Sequence, residues 1–205
     1  MDKEYHLKQN SAFCMLPWIH MHAWPDGRAL PCCIADSDQS FGNLKTDSIE
    51  DVWNSERYKE LRVAMLNGEK LDTCKRCYEL EDSTWTWTLR KNTNEWFGNK
   101  HFDLVKKTAE DGSLTEMRMA YFDVRFSNIC NMKCRSCGPE LSSLHAQEHG
   151  ELYGKHEVAK MLNNNGSTVV NIAKENNYWE NLQKYLPDVE EVYWAGGEPL
   201  ITNEH

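Results

Sequence analysis

Hydrophobic and polar residues near the N-terminus alternate with a period of two. In residues 18–24 (WIHMHAW), tryptophan and histidine alternate with smaller apolar residues, which is the pattern of a strand. Pro25, Asp26 and Gly27 then supply turn chemistry before a second short run. The sequence therefore predicts a β-hairpin.

A helical pattern follows in residues 46–70 (TDSIEDVWNSERYKELRVAMLNGEK). Asp47 with Glu50 three residues later forms a capping-box pattern, and Gly68 is a suitable stop. The apolar positions predicted to share one side are Ile49, Val52, Trp53, Leu61, Met65 and Leu66. We therefore expect one amphipathic helix here.

The C-terminal part predicts a strand, helices and a second strand. MAYFDVRFSN is strand-like, as is the start of VEEVYWAGGEPL. Between them, Glu140–Gly150 and Val169–Leu186 carry helical patterns, interrupted by the polar run NNNGS. This order predicts a right-handed parallel crossover that opens an α/β barrel.

Composition limits the classes of protein to consider. The chain has 205 residues, of which 40% are hydrophobic, so it can bury a core in one or two domains. A net charge of −9 argues against a nucleic-acid binder, which would carry a basic face. The chain lacks a signal core and any apolar run of membrane-spanning length, so we expect a cytoplasmic protein without a membrane partner. In a reducing cytosol, eight cysteines are better candidates for metal ligands than for disulfides.

Three cysteines stand close together in SNICNMKCRSCGPE. Cys130, Cys134 and Cys137 have C-x3-C-x2-C spacing. A structural zinc site needs four protein ligands. A 4Fe-4S cluster held by three thiolates leaves one iron open to another ligand. The spacing therefore favours an iron–sulfur cluster with an open iron.

The N-terminal cysteines form a second candidate metal site. Cys74 and Cys77 form a C-x2-C turn after the predicted helix, and Cys14 with Cys32 could complete four thiolates. Strand alternation sends Cys32 and Cys33 to opposite faces, so we expect only one of them to be a ligand. The chemistry alone leaves zinc and an iron–sulfur cluster as alternatives.

The order of features in this N-terminal part resembles a known family. Cys14, Gly27, Cys32, the FGNL segment, the VWNS helix and the C-x2-C pair resemble the SPASM/twitch auxiliary-cluster domain of many radical SAM enzymes, over about residues 13–82. The resemblance implies an auxiliary 4Fe-4S cluster with Cys33 as the adjacent non-ligand. It also implies that His20 and His22 are strand surface or packing rather than ligands. The ligands that it implies are Cys14, Cys32, Cys74 and Cys77.

The three-cysteine loop after a strand resembles the radical SAM signature. That resemblance implies a 4Fe-4S cluster that binds S-adenosylmethionine, takes an electron from a donor and forms a 5'-deoxyadenosyl radical. The segment Gly196, Gly197 and Glu198 resembles the family's motif for the amino group of S-adenosylmethionine. Glycines allow close approach of backbone to a ligand, and a carboxylate accepts hydrogen bonds from an ammonium. The catalytic residue acting on substrate is not indicated.

These features together predict an α/β protein. It would have a small hairpin-plus-helix SPASM/twitch-like domain (residues 1–82) and a Trp-rich linker (83–117). The first β-α-β portion of a partial TIM-type radical SAM barrel would follow (118–205). In the linker, Trp85, Trp87 and Trp96 are expected to pack the two domains together, with a substrate platform as the alternative. The segment HFDLVKKTAEDGS predicts a short helix ending at Gly112.

A full barrel needs more strands than the two predicted up to His205, so we expect a truncated or split product. The alternative is a second chain that completes the barrel. The function expected from both resemblances is a radical SAM enzyme or a fragment of one, and analogy with SPASM/twitch relatives suggests a peptide or protein substrate. The alternatives are a cysteine-rich zinc-binding module and an inactive iron–sulfur remnant.

Overall fold

The computed structural model describes residues 1–83 and 87–203, and a mixed sheet runs through them. Its strand order is β3-β2-β1-β4-β5. The strands β1 and β2 are antiparallel, as are β2 and β3, whereas β1–β4 and β4–β5 are parallel. The five strands are β1 (His22–Ala23), β2 (Arg28–Leu30), β3 (Gly42–Asn43), β4 (Tyr121–Val124) and β5 (Glu191–Val192).

The predicted N-terminal hairpin is present, but its first strand is shorter than expected. Helix α1 (Leu16–Ile19) occupies the start of the alternating run, with Pro17 in its first turn. Proline suits that position because its fixed φ matches the helix and its missing N–H is not needed there. Gly27 adopts φ +91° in the turn between β1 and β2.

The predicted long helix is divided into α2 (Ile49–Trp53) and α3 (Glu56–Asn67). Asn54 lies at the break, where its amide bonds the main chain of Leu114 in both directions, at 2.8 and 2.9 Å. Gly68 ends α3 with φ +79°, as predicted.

The cap of α2 differs from the predicted one. The Ser48 hydroxyl accepts a bond from the Asp51 N–H at 3.0 Å, and the Asp51 carboxylate accepts one from the Ser48 N–H. Asp47 instead accepts from the N–H of Asn43 at 2.8 Å, which fixes the preceding loop. The predicted capping box of Asp47 and Glu50 is therefore wrong by one residue.

The predicted linker contains the longest helix among the described residues. Helix α4 (Lys75–Asp82) is followed by α5 (Leu89–Lys106). The predicted short helix is therefore wrong in both bounds, because α5 begins at Leu89 rather than near His101 and ends at Lys106 rather than at Gly112. Trp87 and Trp96 are 64% and 54% exposed, so the prediction that they pack two domains together is wrong. Trp85 lies outside the described residues.

The C-terminal part contains the predicted β-α-β order. Helices α6 (Ser143–Tyr153), α7 (Lys155–Met161) and α8 (Tyr178–Leu182) lie between β4 and β5. The two strands are parallel, with Tyr121 opposite Glu191. This arrangement agrees with the opening unit of a barrel, and the larger barrel stays a prediction.

The strand pair β1–β4 joins the N-terminal and C-terminal parts. His22 lies opposite Asp123, and the Arg125 N–H donates to Ala23 O at 3.0 Å. One apolar cluster extends from Phe13 to Leu182 in the sequence. The division at residues 82 and 118 stays a prediction, and the two parts share both sheet and core.

Candidate functional site

Four cysteines from separate elements line one cavity. Cys14 precedes α1, Cys32 lies in the turn after β2, Cys74 ends a 3₁₀ turn and Cys77 lies in α4. The wall between them is largely apolar and includes Leu16. The structure thus brings together the four cysteines that the family resemblance singled out.

Burial makes these thiols hard to ionise without a compensating cation. It raises the pKa of Cys14 to about 11 and that of Cys74 to about 12, with neighbouring cysteines adding to the effect. Burial also raises the pKa values of Cys32 and Cys77. Because metal ligation requires the thiolate, a metal centre would release these protons and make its own assembly pH-dependent.

The spacing of the cavity sulfurs bears on which group they fit. Among the residues that the structure describes, one group of three or more Cys, His, Asp or Glu has ligand atoms all within 4.8 Å of one another, and it contains no cysteine. Sulfurs at ~2.3 Å around a tetrahedral zinc ion would lie about 3.8 Å apart. No three described cysteine sulfurs are that close together, so the cavity as it stands is not a preformed tetrahedral zinc site.

Arg90 places a positive charge at the wall of this cavity. Its guanidinium donates to Phe13 O at 2.8 Å and forms a buried ion pair with Glu81. The Arg90 charge opposes the effect of burial on the pKa values of Cys14 and Cys77. Helix α5 therefore contributes both packing and electrostatics to the four-cysteine cavity.

Cys130, Cys134 and Cys137 share the loop after β4. The N–H of Cys137 donates to Cys134 O at 3.0 Å, and Cys130 Sγ accepts from the N–H of Met132 at 3.4 Å. Cys134 is exposed and the other two are half-buried. Burial, together with the nearby Cys130 and Cys134, raises the pKa of the Cys137 thiol.

The side chain of Asn128 fixes the start and end of the three-cysteine loop. Its amide nitrogen donates to Pro139 O at 3.1 Å and to Thr168 O at 3.0 Å. The Ser142 hydroxyl also donates to Met132 O at 2.8 Å. The loop is thus held by bonds from both of its ends.

The Gly-Gly-Glu segment packs directly on this loop. The N–H of Glu198 donates to Ile129 O at 2.7 Å. Gly197 adopts φ +59°, and a Cβ at that position would lie 2.4 Å from Ile129 O. The glycine is required by this close approach. Two motifs about sixty residues apart in sequence therefore form one surface.

A comparison with protein families identifies the N-terminal unit. Residues 14–78 match the SPASM iron-sulfur cluster-binding domain. The SPASM unit contains all four cavity cysteines, and SPASM domains are typical of radical SAM enzymes. Searches of curated proteins and of solved structures gave no match to the chain. The chain therefore carries an iron–sulfur cluster-binding domain.

Cys33 of the SPASM unit does not line the four-cysteine cavity. It lies in the turn after β2, not in the strand that the sequence predicted. Burial first, and then the Asp123 carboxylate, raise the pKa of its thiol to about 11. Cys32 and Cys33 do diverge as expected, although a turn and not strand alternation separates them.

The sequence prediction did not single out Asp123. This residue lies on β4 beside His20 and His22, and all three are fully buried. Two features of the sequence could have indicated this group. His20 and His22 are two residues apart, and the predicted strand MAYFDVRFSN contains a single carboxylate, Asp123.

The described residues include no helix with the length and apolar character needed to cross a membrane.

Proposed function

We propose that this chain is a radical SAM enzyme or part of one, with an auxiliary 4Fe-4S cluster in the SPASM unit. The observation that carries the proposal is the bond from the Glu198 N–H to Ile129 O, which seats the Gly-Gly-Glu segment on the three-cysteine loop. The SPASM match supports it independently.

Each group of residues has a defined task in this proposal. Cys130, Cys134 and Cys137 would hold a 4Fe-4S cluster through three of its irons. When bound, that cluster supplies the electron that cleaves S-adenosylmethionine to give a 5'-deoxyadenosyl radical. Gly196 and Gly197 let the backbone approach the cofactor, and Glu198 accepts hydrogen bonds from its amino group.

The SPASM unit would hold the auxiliary cluster through Cys14, Cys32, Cys74 and Cys77. Arg90 at the cavity wall offsets part of the thiolate charge. The substrate class proposed is a peptide or protein, which rests only on analogy with other SPASM-bearing enzymes.

The test separates the two cysteine sets. Replacing Cys130, Cys134 and Cys137 together with alanine should remove about four irons per chain after anaerobic reconstitution with iron and sulfide. The variant should also lose any change in the electron paramagnetic resonance spectrum on adding S-adenosylmethionine, because no open iron remains. The matched control, Ser136→Ala on the same loop, should keep both properties.

Unchanged iron content in the triple variant would contradict the assignment of that loop. A colourless wild-type protein that retains zinc after reconstitution would contradict the whole proposal and favour a zinc-binding module.

A further inference from the structure

Two histidines and a carboxylate meet at the junction of β1 and β4. His22 and Asp123 are opposite each other in the parallel pair, and His20 is two residues before His22. All three side chains have 0% exposure. Each offers a ligand atom within 4.8 Å of the other two. We call these three residues the His-His-Asp cluster.

The main chain of β4 orients both imidazole rings. Nδ1 of His20 lies 2.9 Å from Tyr121 O, and Nδ1 of His22 lies 3.0 Å from Asp123 O. A carbonyl oxygen can only accept, so each Nδ1 carries the proton and each Nε2 keeps its lone pair. Histidines that bind metals are held in this way, with the other ring nitrogen donating to a carbonyl or carboxylate.

Two ring nitrogens of the cluster, Nε2 of His20 and Nε2 of His22, have no hydrogen-bond partner. The Asp123 carboxylate has the His22 ring and the Cys33 thiol beside it. Nδ1 of His22 is 3.1 Å from Asp123 Oδ2, but its hydrogen bond goes to the main chain. Buried polar groups without partners are costly, so this cluster needs an explanation.

Charged and ionisable groups lie beside the carboxylate of the cluster. Burial would raise the pKa of Asp123, but His22, His20 and Arg125 hold it below its usual value. Arg125 Nε is 3.9 Å from Asp123 Oδ1, beyond hydrogen-bond distance, and its guanidinium lies 5.2 Å from the Trp24 ring centre.

We propose that His20, His22 and Asp123 bind one divalent transition-metal ion, separate from both cysteine sites. Two imidazoles and one carboxylate are a donor set that suits Zn²⁺ and Fe²⁺. Arg125, Trp24 and Cys33 lie beside the cluster, and each is only partly buried.

Zinc provides the probe, since its ligands can be identified spectroscopically. The chain is first reconstituted with iron and sulfide so that the cysteine sites are filled, then given one equivalent of Zn²⁺ and desalted. We expect about one zinc per chain by mass spectrometry. X-ray absorption at the zinc edge should show nitrogen and oxygen neighbours at about 2.0–2.2 Å.

Two conservative variants test the ligands. His22→Gln and Asp123→Asn should each weaken zinc binding at least tenfold, since changes even beyond the direct ligands cost 10- to 100-fold. The matched control is His101→Gln, because His101 is also buried but contacts Glu190 at 3.1 Å outside the cluster. Circular dichroism and the cluster absorption establish that each variant is folded.

Three results would overturn the proposal. The first is a wild-type chain that retains no zinc after desalting. The second is a zinc shell composed only of sulfur, which would place the ion among the cysteines. The third is equal zinc retention by folded His22→Gln, Asp123→Asn and control chains. If the variants do not fold, zinc retention and the zinc-edge X-ray absorption spectrum of the wild-type chain still distinguish the proposal from the first two of these results.

Discussion

Cys32 and Cys33 are neighbours in sequence whose side chains enter different environments. Cys32 lines the four-cysteine cavity, where burial and Cys74 raise its pKa. Cys33 lies beside the Asp123 carboxylate. The turn after β2 therefore gives two identical thiols different surroundings, and these surroundings determine which of them can be a cluster ligand.

This difference predicts unequal effects of two alanine substitutions. Cys32→Ala should destabilise the auxiliary cluster and remove most of its iron, because a cluster ligand is lost. Cys33→Ala should leave the iron content within error of the wild type. Iron analysis and visible absorption after anaerobic reconstitution measure both. Equal loss from the two variants would mean a different ligand set.

At the scale of elements, local signals predicted some boundaries and long-range contacts decided others. Gly68 ends α3 as expected because a left-handed residue terminates a helix locally. The break at Asn54 depends on Leu114, sixty residues away, which no local pattern reports.

Helix α5 was even harder to predict from the local sequence. Its buried face contains polar residues, so the usual apolar stripe is weak. Asn94 accepts from the Met15 N–H at 2.8 Å and donates to Phe13 O at 3.0 Å. The candidate cysteine sites were easier to propose from the sequence than this helix. The spacing of cysteines is a local signal, whereas the helix depends on contacts with distant parts of the chain.

The contact between the Gly-Gly-Glu segment and the three-cysteine loop predicts the effect of adding one methyl group. Gly197→Ala should destabilise the fold by about 1–3 kcal/mol, because alanine is strained at φ +59° and its Cβ would overlap Ile129 O. The same change should weaken the response of the loop cluster to S-adenosylmethionine. Chemical denaturation and paramagnetic resonance provide the two readouts.

A matched control for that variant is Gly138→Ala. Gly138 is not at a positive φ, and the nearest heavy atom to an added Cβ is the flexible end of Glu140 at 3.0 Å. Equal behaviour of the two alanine variants would show that the close approach at Gly197 has no role.

At the scale of the whole molecule, the SPASM unit and the C-terminal part share one sheet. Strand β1 contributes to the hairpin on one side and pairs with β4 on the other. Buried residues of both parts belong to one apolar cluster. The molecule is therefore expected to unfold as one cooperative unit.

A core substitution in β4 tests this cooperativity. Phe122 is 5% exposed, and Phe122→Ala should cost about 3–5 kcal/mol. Because the sheet is shared, the change should lower the unfolding midpoint seen by circular dichroism and the midpoint for loss of the auxiliary-cluster colour together. Trp96→Ala, at an exposed position, should shift either midpoint by far less. Two separate transitions, of which only one moves, would support independent domains.

The pairing of β1 with β4 also affects how the chain is made. Contacts across this pair join residues 101 positions apart. At about 5–20 residues per second, a ribosome needs roughly 5–20 seconds to deliver β4 after β1. During that interval one edge of the nascent hairpin has no partner strand, and an unpaired edge is prone to aggregation. The four cysteines of the SPASM unit leave the ribosome before β4, so cluster assembly can begin while this edge is still open.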